Sequence, residues 1–106
     1  MKKISKVLIT GLGSIGQRHV RNIRKTYGKS ISIIAYRIRK KNTVINADMT
    51  VSDGISVEKK YDIISFYDLE EALAQKPDVV FITNPNSLHI PIAIEAAKRG
   101  CHLYIE

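Results

Sequence analysis

The chain is poor in cysteine and has no long apolar run. Only one of its 106 residues is a cysteine, Cys101, which excludes an intrachain disulfide and a Cys-x-x-Cys pair for zinc or redox chemistry. No stretch approaches the roughly 18 apolar residues of a membrane span, and the apolar run after Lys6 is too short for a signal peptide. We therefore expect one globular domain in the reducing cytoplasm, with no membrane partner.

Acidic residues are absent from the first 41 positions, which hold twelve lysines and arginines. Residues 42–106 show the opposite excess, with five basic and ten acidic side chains. Within a total net charge of +7, this asymmetry favours an anionic partner for the first half. Because no nucleic-acid motif or set of interleaved aromatic residues accompanies the charges, nucleic acid is not the expected partner.

Short apolar runs alternate with amphipathic stretches. The pattern predicts strands at 7–10, 31–36, 62–66, 78–83 and 101–105, and helices at 14–27, 68–76 and around Pro91 as far as Gly100. Repeated alternation of this kind predicts an α/β, three-layer Rossmann-like fold, with a mostly parallel sheet and helices on both faces. Residues 39–61 are harder to interpret. There, residues 49–51 and 55–57 flank Ser-Asp-Gly and predict a small hairpin.

The segment from Gly11 to Gly16 reads Gly-Leu-Gly-Ser-Ile-Gly, between the first predicted strand and the first helix. In this setting Gly-x-Gly-x-x-Gly is typical of dinucleotide binding. Gly11 permits the tight turn, Gly13 lets a pyrophosphate approach the backbone, and Gly16 lets helix and strand pack closely. The amides of the first helical turn, at Ser14 and Ile15, would face the anion.

Two other nucleotide sites use a glycine-rich first loop. A nucleoside-triphosphatase phosphate loop requires lysine and a hydroxyl residue after its last glycine, but Gln17 and Arg18 stand there, which excludes that site. A methyltransferase stays open as an alternative, although it is weakened because no acid follows the second predicted strand.

Cofactor choice depends on the end of the second strand. An NAD-preferring site places an acid about 20 residues beyond the glycines, where this chain has Tyr36 and Arg37. Arg37 and the basic residues at 39–41 suit a 2′-phosphate, so we predict NAD or NADP as cofactor, with NADP accepted at least as well as NAD. The alternative is that these charges form a solvated loop and that cofactor choice is relaxed.

Five separated motifs resemble those of the glucose-fructose oxidoreductase, inositol dehydrogenase and MocA (Gfo/Idh/MocA) family, in the family's order. They are the glycine segment followed by Gln17-Arg18-His19, Asp68-Leu-Glu-Glu71, Lys76-Pro-Asp-Val-Val80, Thr83-Asn-Pro-Asn86 with His89, and the run from Ala96 to Glu106. Only residues 38–61 lack a counterpart. The resemblance implies that residues 1–106 form the amino-terminal NAD(P)-binding domain of an oxidoreductase. Its substrate would be a sugar, a polyol or a nucleotide-sugar-like molecule.

The resemblance also implies what lies beyond this chain. Glu106 matches the glutamate of the family's Glu-Lys-Pro motif, whose lysine takes part in catalysis and would be the next residue. The family's catalytic histidine lies in a second, substrate-binding domain. We therefore expect a fragment that binds cofactor, contains no catalytic residue and acts within a full-length homo-oligomer.

Further candidate cofactor contacts follow the fourth main strand. Thr83, Asn84, Pro85 and Asn86 come where a cofactor would cross the sheet edge, and they resemble the family's segment near the nicotinamide ribose. Their alternative role is a helix-entry turn. His89 could approach the nicotinamide, or cap and pack the helix, and Glu106 is assigned to cofactor orientation by analogy only.

The remaining polar residues are assigned no chemistry. His19 lies on the apolar side of the first helix, which favours a core histidine over a ligand. Cys101 and His102 are neighbours on a strand and point to opposite faces, so no metal site is predicted. A non-enzymatic NAD(P)-sensing or regulatory module stays open as an alternative function, because the same fold serves both.

Overall fold

A parallel sheet of five strands organises the computed structural model, which describes residues 4–37, 44–45, 51–52, 57–83 and 89–105. In chain order the elements are β1 (Lys6–Thr10), α1 (Ser14–Tyr27), β2 (Ser32–Tyr36), β3 (Val44–Ile45), β4 (Val51–Ser52), α2 (Val57–Tyr61), β5 (Ile63–Phe66), α3 (Leu69–Ala74), β6 (Val79–Ile82), α4 (His89–Lys98) and β7 (His102–Ile105). The sheet order is β5-β2-β1-β6-β7, and each adjacent pair is parallel. The predicted Rossmann-like fold is confirmed.

Two apolar layers cover the sheet, one on each face. Alternate β1 residues enter different layers, because successive side chains of a strand point to opposite faces. Val7 and Ile9 pack with Val20 of α1 and Tyr61 of α2. Leu8 packs on the other face, in a cluster that includes Leu73 of α3, Ile92 and Ala96 of α4, and Val80 and Ile82 of β6. Burial on both faces explains why the strands are continuous apolar runs.

The order of strands reverses at the centre of the sheet. From β1 the chain moves outward through β2 to β5, then returns across β1 to build β6 and β7 on the other side. The carboxyl ends of β1 and β6 therefore lie side by side, with Thr10 in register with Ile82. In open α/β sheets the crevice at such a reversal is where ligands bind.

The first helix has the bounds that the sequence predicted. The helix α1 runs from Ser14 to Tyr27 and ends at Gly28, which has φ 60° and donates its N–H to the Arg24 carbonyl at 2.8 Å. A positive φ is unfavourable for most side-chain-bearing residues, so glycine suits this helix end.

The strand predicted at residues 55–57, in the second arm of the hairpin around Ser52-Asp53-Gly54, is wrong at Val57. The strand β4 pairs antiparallel with the upstream β3, with Val44 opposite Ser52. Val57 instead opens the helix α2, with Glu58 in its first turn and Lys59 and Lys60 in its last, the charge order that a helix dipole favours. Residues 46–50 and 53–56, on which the rest of that prediction falls, lie outside the described residues.

Arg24 shows that part of the basic charge has a structural task. Its guanidinium donates to the carbonyl oxygens of Gly28 and Ile31 at 2.8 and 2.7 Å, and to those of Tyr61 and Asp62, both at 2.9 Å. The side chain thereby ties the end of α1 to the turn between α2 and β5. The positive charge of Arg24 therefore does not by itself indicate an anionic partner.

Candidate functional site

The glycine loop from Gly11 to Gly16 joins β1 to α1 at the reversal of the strand order. Gly11 has φ 98°, a backbone conformation that side-chain-bearing residues rarely adopt, and its N–H donates to the Tyr36 carbonyl at 3.0 Å. The loop therefore turns sharply at the end of β1 while staying hydrogen-bonded to the end of β2.

Gly13 provides the open side of the loop. It is the N-cap of α1, and no side chain caps the helix there. A Cβ built on Gly13 would meet no atom within 4 Å. The first turn of α1 contains no acid, so its amides, which begin with those of Ser14 and Ile15, present the positive end of the helix dipole to that space. The geometry fits a pyrophosphate group.

Gly16 provides the closed side of the loop. A Cβ there would overlap the carbonyl oxygen of Gly11 and would lie 3.1 Å from the Thr83 hydroxyl oxygen. The first turn of α1 therefore packs directly against the backbone at the end of β1. This close approach is the role predicted for the third glycine of the motif.

Thr83 lies beside the loop, directly after β6. Its hydroxyl oxygen is 3.0 Å from the Thr10 carbonyl oxygen and 2.9 Å from that of Gly11. Its backbone N–H also donates to Thr10, at 3.2 Å. The predicted cofactor contact of Thr83 stays a prediction, and the structure adds a second role, which is to hold the glycine loop against β6.

Replacing Thr83 with valine should loosen the loop. Valine has nearly the same shape but cannot donate to the Thr10 and Gly11 carbonyls, so we expect the free energy of unfolding to fall by about 1 kcal/mol. Urea denaturation measures the change. Thr83→Ser keeps the hydroxyl and should restore most of the loss; a serine variant as unstable as the valine variant would contradict this role.

Several predicted contacts stay predictions. Asn84, Pro85, Asn86 and Glu106 lie outside the described residues, as do Arg39, Lys40 and Lys41. His89 is the first residue of α4, the helix that follows β6. Ile15, in the first turn of α1, is 41% exposed, so its side chain is partly open to a ligand.

Arg37 lies one residue beyond β2 and is buried, with 4% of its surface exposed. Its Nη1 donates to Glu58 Oε2 at 2.7 Å, and the Ser65 hydroxyl donates to the same oxygen at 2.7 Å. Burial raises the pKa of the Glu58 carboxyl, but the hydrogen bonds from Ser65, the Glu58 amide and Arg37, with the charge of Arg37, outweigh it and hold that pKa below its usual range.

Sequence reasoning missed this pair of charges. It treated Arg37 as a cation open to a 2′-phosphate, or alternatively to solvent, and gave Glu58 no role. The two residues are 21 positions apart, across the stretch where the sequence shows little regular pattern. The absence of acid from the first 41 residues was therefore a poor guide to the charge at the end of β2.

His19 packs in an aromatic cluster, as its place on the apolar side of α1 predicted. Its ring centroid lies 5.1 Å from that of Phe81 on β6 and 5.3 Å from that of Tyr104 on β7. Across the described parts of the chain, no group of three histidine, cysteine or acidic side chains is placed to hold a metal ion. Nor is any helix of those parts long and apolar enough to cross a membrane.

Comparison with known proteins identifies the kind of domain. Residues 5–106 match the family model described as "Oxidoreductase family, NAD-binding Rossmann fold". The chain belongs to the Gfo/Idh/MocA oxidoreductase family. The resemblance found in its motifs is confirmed, and this Gfo/Idh/MocA chain is an NAD-binding Rossmann domain.

Individual relatives of the Gfo/Idh/MocA chain match only part of their own length. It is 36% identical over 61 residues to D-glucoside 3-dehydrogenase of Escherichia coli K12, which covers 56% of this chain and 17% of that protein. The fold is similar to the WlbA dehydrogenase of Chromobacterium violaceum, solved with NADH and UDP-GlcNAcA (TM-score 0.73, 20% identity, 98% of this chain and 27% of that one). It is also similar to Synechocystis biliverdin reductase, solved with biliverdin and NADP+ (TM-score 0.71, 20% identity, 94% of this chain and 28% of that one). The chain thus spans less than a third of these proteins.

Proposed function

We propose that this domain holds NAD or NADP for an oxidoreductase that transfers hydride to or from a sugar, a polyol or a nucleotide-sugar-like substrate. The observation that carries the proposal is the contrast between two glycines of one loop. Space is open above Gly13, at the helix end, while Gly16 is closed against Gly11. A pyrophosphate needs the first feature and the strand-to-helix packing needs the second.

The residues divide between two ends of the cofactor. The glycine loop, with the amides of Ser14 and Ile15, would bind the pyrophosphate, and Arg37 lies on the side of β2 where the adenosine ribose would lie. Thr83 and Asn84–Asn86 follow β6, across the reversal of the strand order, where the nicotinamide ribose would lie. His89 and Glu106 would complete that end.

The bound nicotinamide would supply or accept the hydride, and the chain would contribute binding and orientation. We assign no catalytic residue within 1–106. The lysine and histidine that the family uses for catalysis would be supplied by the remainder of a longer protein, together with the substrate domain. Substrate class rests on the relatives, one of which is a glucoside dehydrogenase.

Calorimetric titration of the protein with NAD+ and with NADP+ tests the cofactor half of the proposal. We expect saturable one-to-one binding of at least one of them, and no binding of uridine triphosphate, which carries phosphates but cannot span both ends of the site. An absence of heat with both dinucleotides would overturn the proposal. The hydride half is tested in the full-length protein, by following reduced nicotinamide with a panel of sugars and polyols; cofactor binding without turnover on any of them would favour the sensing module.

A further inference from the structure

The end of β2 holds an ion pair where the fold brings the adenosine half of a dinucleotide. Thr10 and Tyr36 are in register, and Gly11 donates to the Tyr36 carbonyl, so Arg37 follows immediately beside the glycine loop. Its own N–H donates to the Phe66 carbonyl of β5 at 2.9 Å. The backbone of Arg37 is thus held between the loop and β5.

The side chain of Arg37 is committed to Glu58. The side chain is 4% exposed, and its Nη1 donates to Glu58 Oε2 at 2.7 Å. The Ser65 hydroxyl reaches the same oxygen from β5, so the carboxylate is held from two sides. The second oxygen of Glu58, Oε1, is buried and has no hydrogen-bond partner among the described residues. The positive charge of Arg37 is therefore compensated by Glu58 at this edge of the sheet.

The two dinucleotides differ in what they bring to this edge. At the adenosine ribose NAD has a neutral 2′-hydroxyl, whereas NADP has a doubly charged phosphate that needs a cation. Arg37 could serve only by turning away from Glu58, which would leave a carboxylate beside the incoming phosphate. Both the lost ion pair and the repulsion between like charges would weaken the binding of NADP. Neither acts on NAD, whose 2′-hydroxyl is neutral.

We propose, on the basis of the proposed cofactor site, that Glu58 is a specificity-determining residue of this domain and favours NAD over NADP by pairing with Arg37. The acidic side chain that sets the charge at the end of β2 therefore comes from α2 and not from β2 itself. Glu58 acts on the cofactor through Arg37. This proposal reverses the preference that the basic residues of the sequence predicted.

A double-mutant cycle tests the proposal. Glu58→Gln keeps the shape and one acceptor oxygen but removes the charge, so Arg37 is held less strongly and becomes available to a phosphate. We expect the ratio of the NADP and NAD dissociation constants to fall by about tenfold or more, through tighter NADP binding. In an Arg37→Met background the same substitution should lower the ratio by a much smaller factor, because only the direct repulsion between Glu58 and the phosphate is then removed. Glu71→Gln, an equal change of charge at an exposed position of α3, is the control.

The other outcomes of the double-mutant cycle overturn the proposal. A ratio that does not move in Glu58→Gln overturns the proposal. A ratio that moves only because NAD affinity falls also overturns it, since Glu58 would then contact the ribose directly. If Glu58→Gln does not fold, Ser65→Ala removes one support of the carboxylate and should shift the ratio the same way to a smaller extent; no shift there counts against the proposal. If the unaltered protein bound neither NAD nor NADP, that result would instead refute the proposed function.

Discussion

Replacing Gly13 with valine is expected to reduce dinucleotide affinity at least about 100-fold while the domain stays folded. The glycine has φ −75° and ψ −165°, a backbone conformation that valine adopts readily, and an added Cβ meets no atom within 4 Å. Valine is a poor N-cap, which costs at most about 1 kcal/mol of stability. Its methyl groups would, however, fill the space through which a pyrophosphate reaches the amides of α1.

Calorimetry and urea denaturation measure the two halves of this Gly13 prediction. Thr26→Val places a valine at an exposed position near the other end of α1, and should leave the dinucleotide affinity unchanged. A Gly13→Val protein that binds NAD or NADP as tightly as the original would show that the anion does not approach the helix at this point.

Replacing Gly16 with alanine should have the opposite signature. Its Cβ would overlap the Gly11 carbonyl oxygen, a backbone atom that also accepts the Thr83 hydroxyl. Since backbone cannot move aside as a flexible side chain can, α1 must shift away from β1. We expect the free energy of unfolding to fall by about 2–4 kcal/mol.

The control for Gly16→Ala is an alanine that meets no obstacle. Asn22 is exposed on the same helix, and Asn22→Ala should raise stability by about 0.5 kcal/mol because alanine has the higher helix propensity. An unfolding midpoint for Gly16→Ala within error of the unaltered protein would show that the helix and strand are less tightly joined than the structure indicates.

Gly13→Val should lower dinucleotide affinity while the domain stays folded, whereas Gly16→Ala should lower the free energy of unfolding. Together the two substitutions separate the surface that binds the cofactor from the surface that packs α1 against β1. Sequence reasoning anticipated both roles, because the three glycines lie within six consecutive residues between a clear strand and a clear helix. Local pattern is enough there, since a turn with a positive φ and a close helix contact both restrict which side chains fit.

The same reasoning was weaker where contacts are distant in sequence. Residues 55–57 had the β-branched character of a strand, yet Val57 opens α2, whose Tyr61 packs in the core beneath α1. The role of Thr83 at the glycine loop could not be anticipated from its neighbours in the chain. It exists because β6 lies beside β1, an arrangement that depends on the strand order of the whole sheet.

The sequence by itself determined the alternation of strands and helices, the glycine turn and the family, because each is written in residues that are close together along the chain. Only the tertiary structure decided the electrostatics at the end of β2. Arg37, Glu58 and Ser65 come from three separate elements and meet within hydrogen-bond distance of one carboxylate oxygen. Charge acts through space and not along the chain, so the count of basic residues before position 41 could not show that one of them was already neutralised.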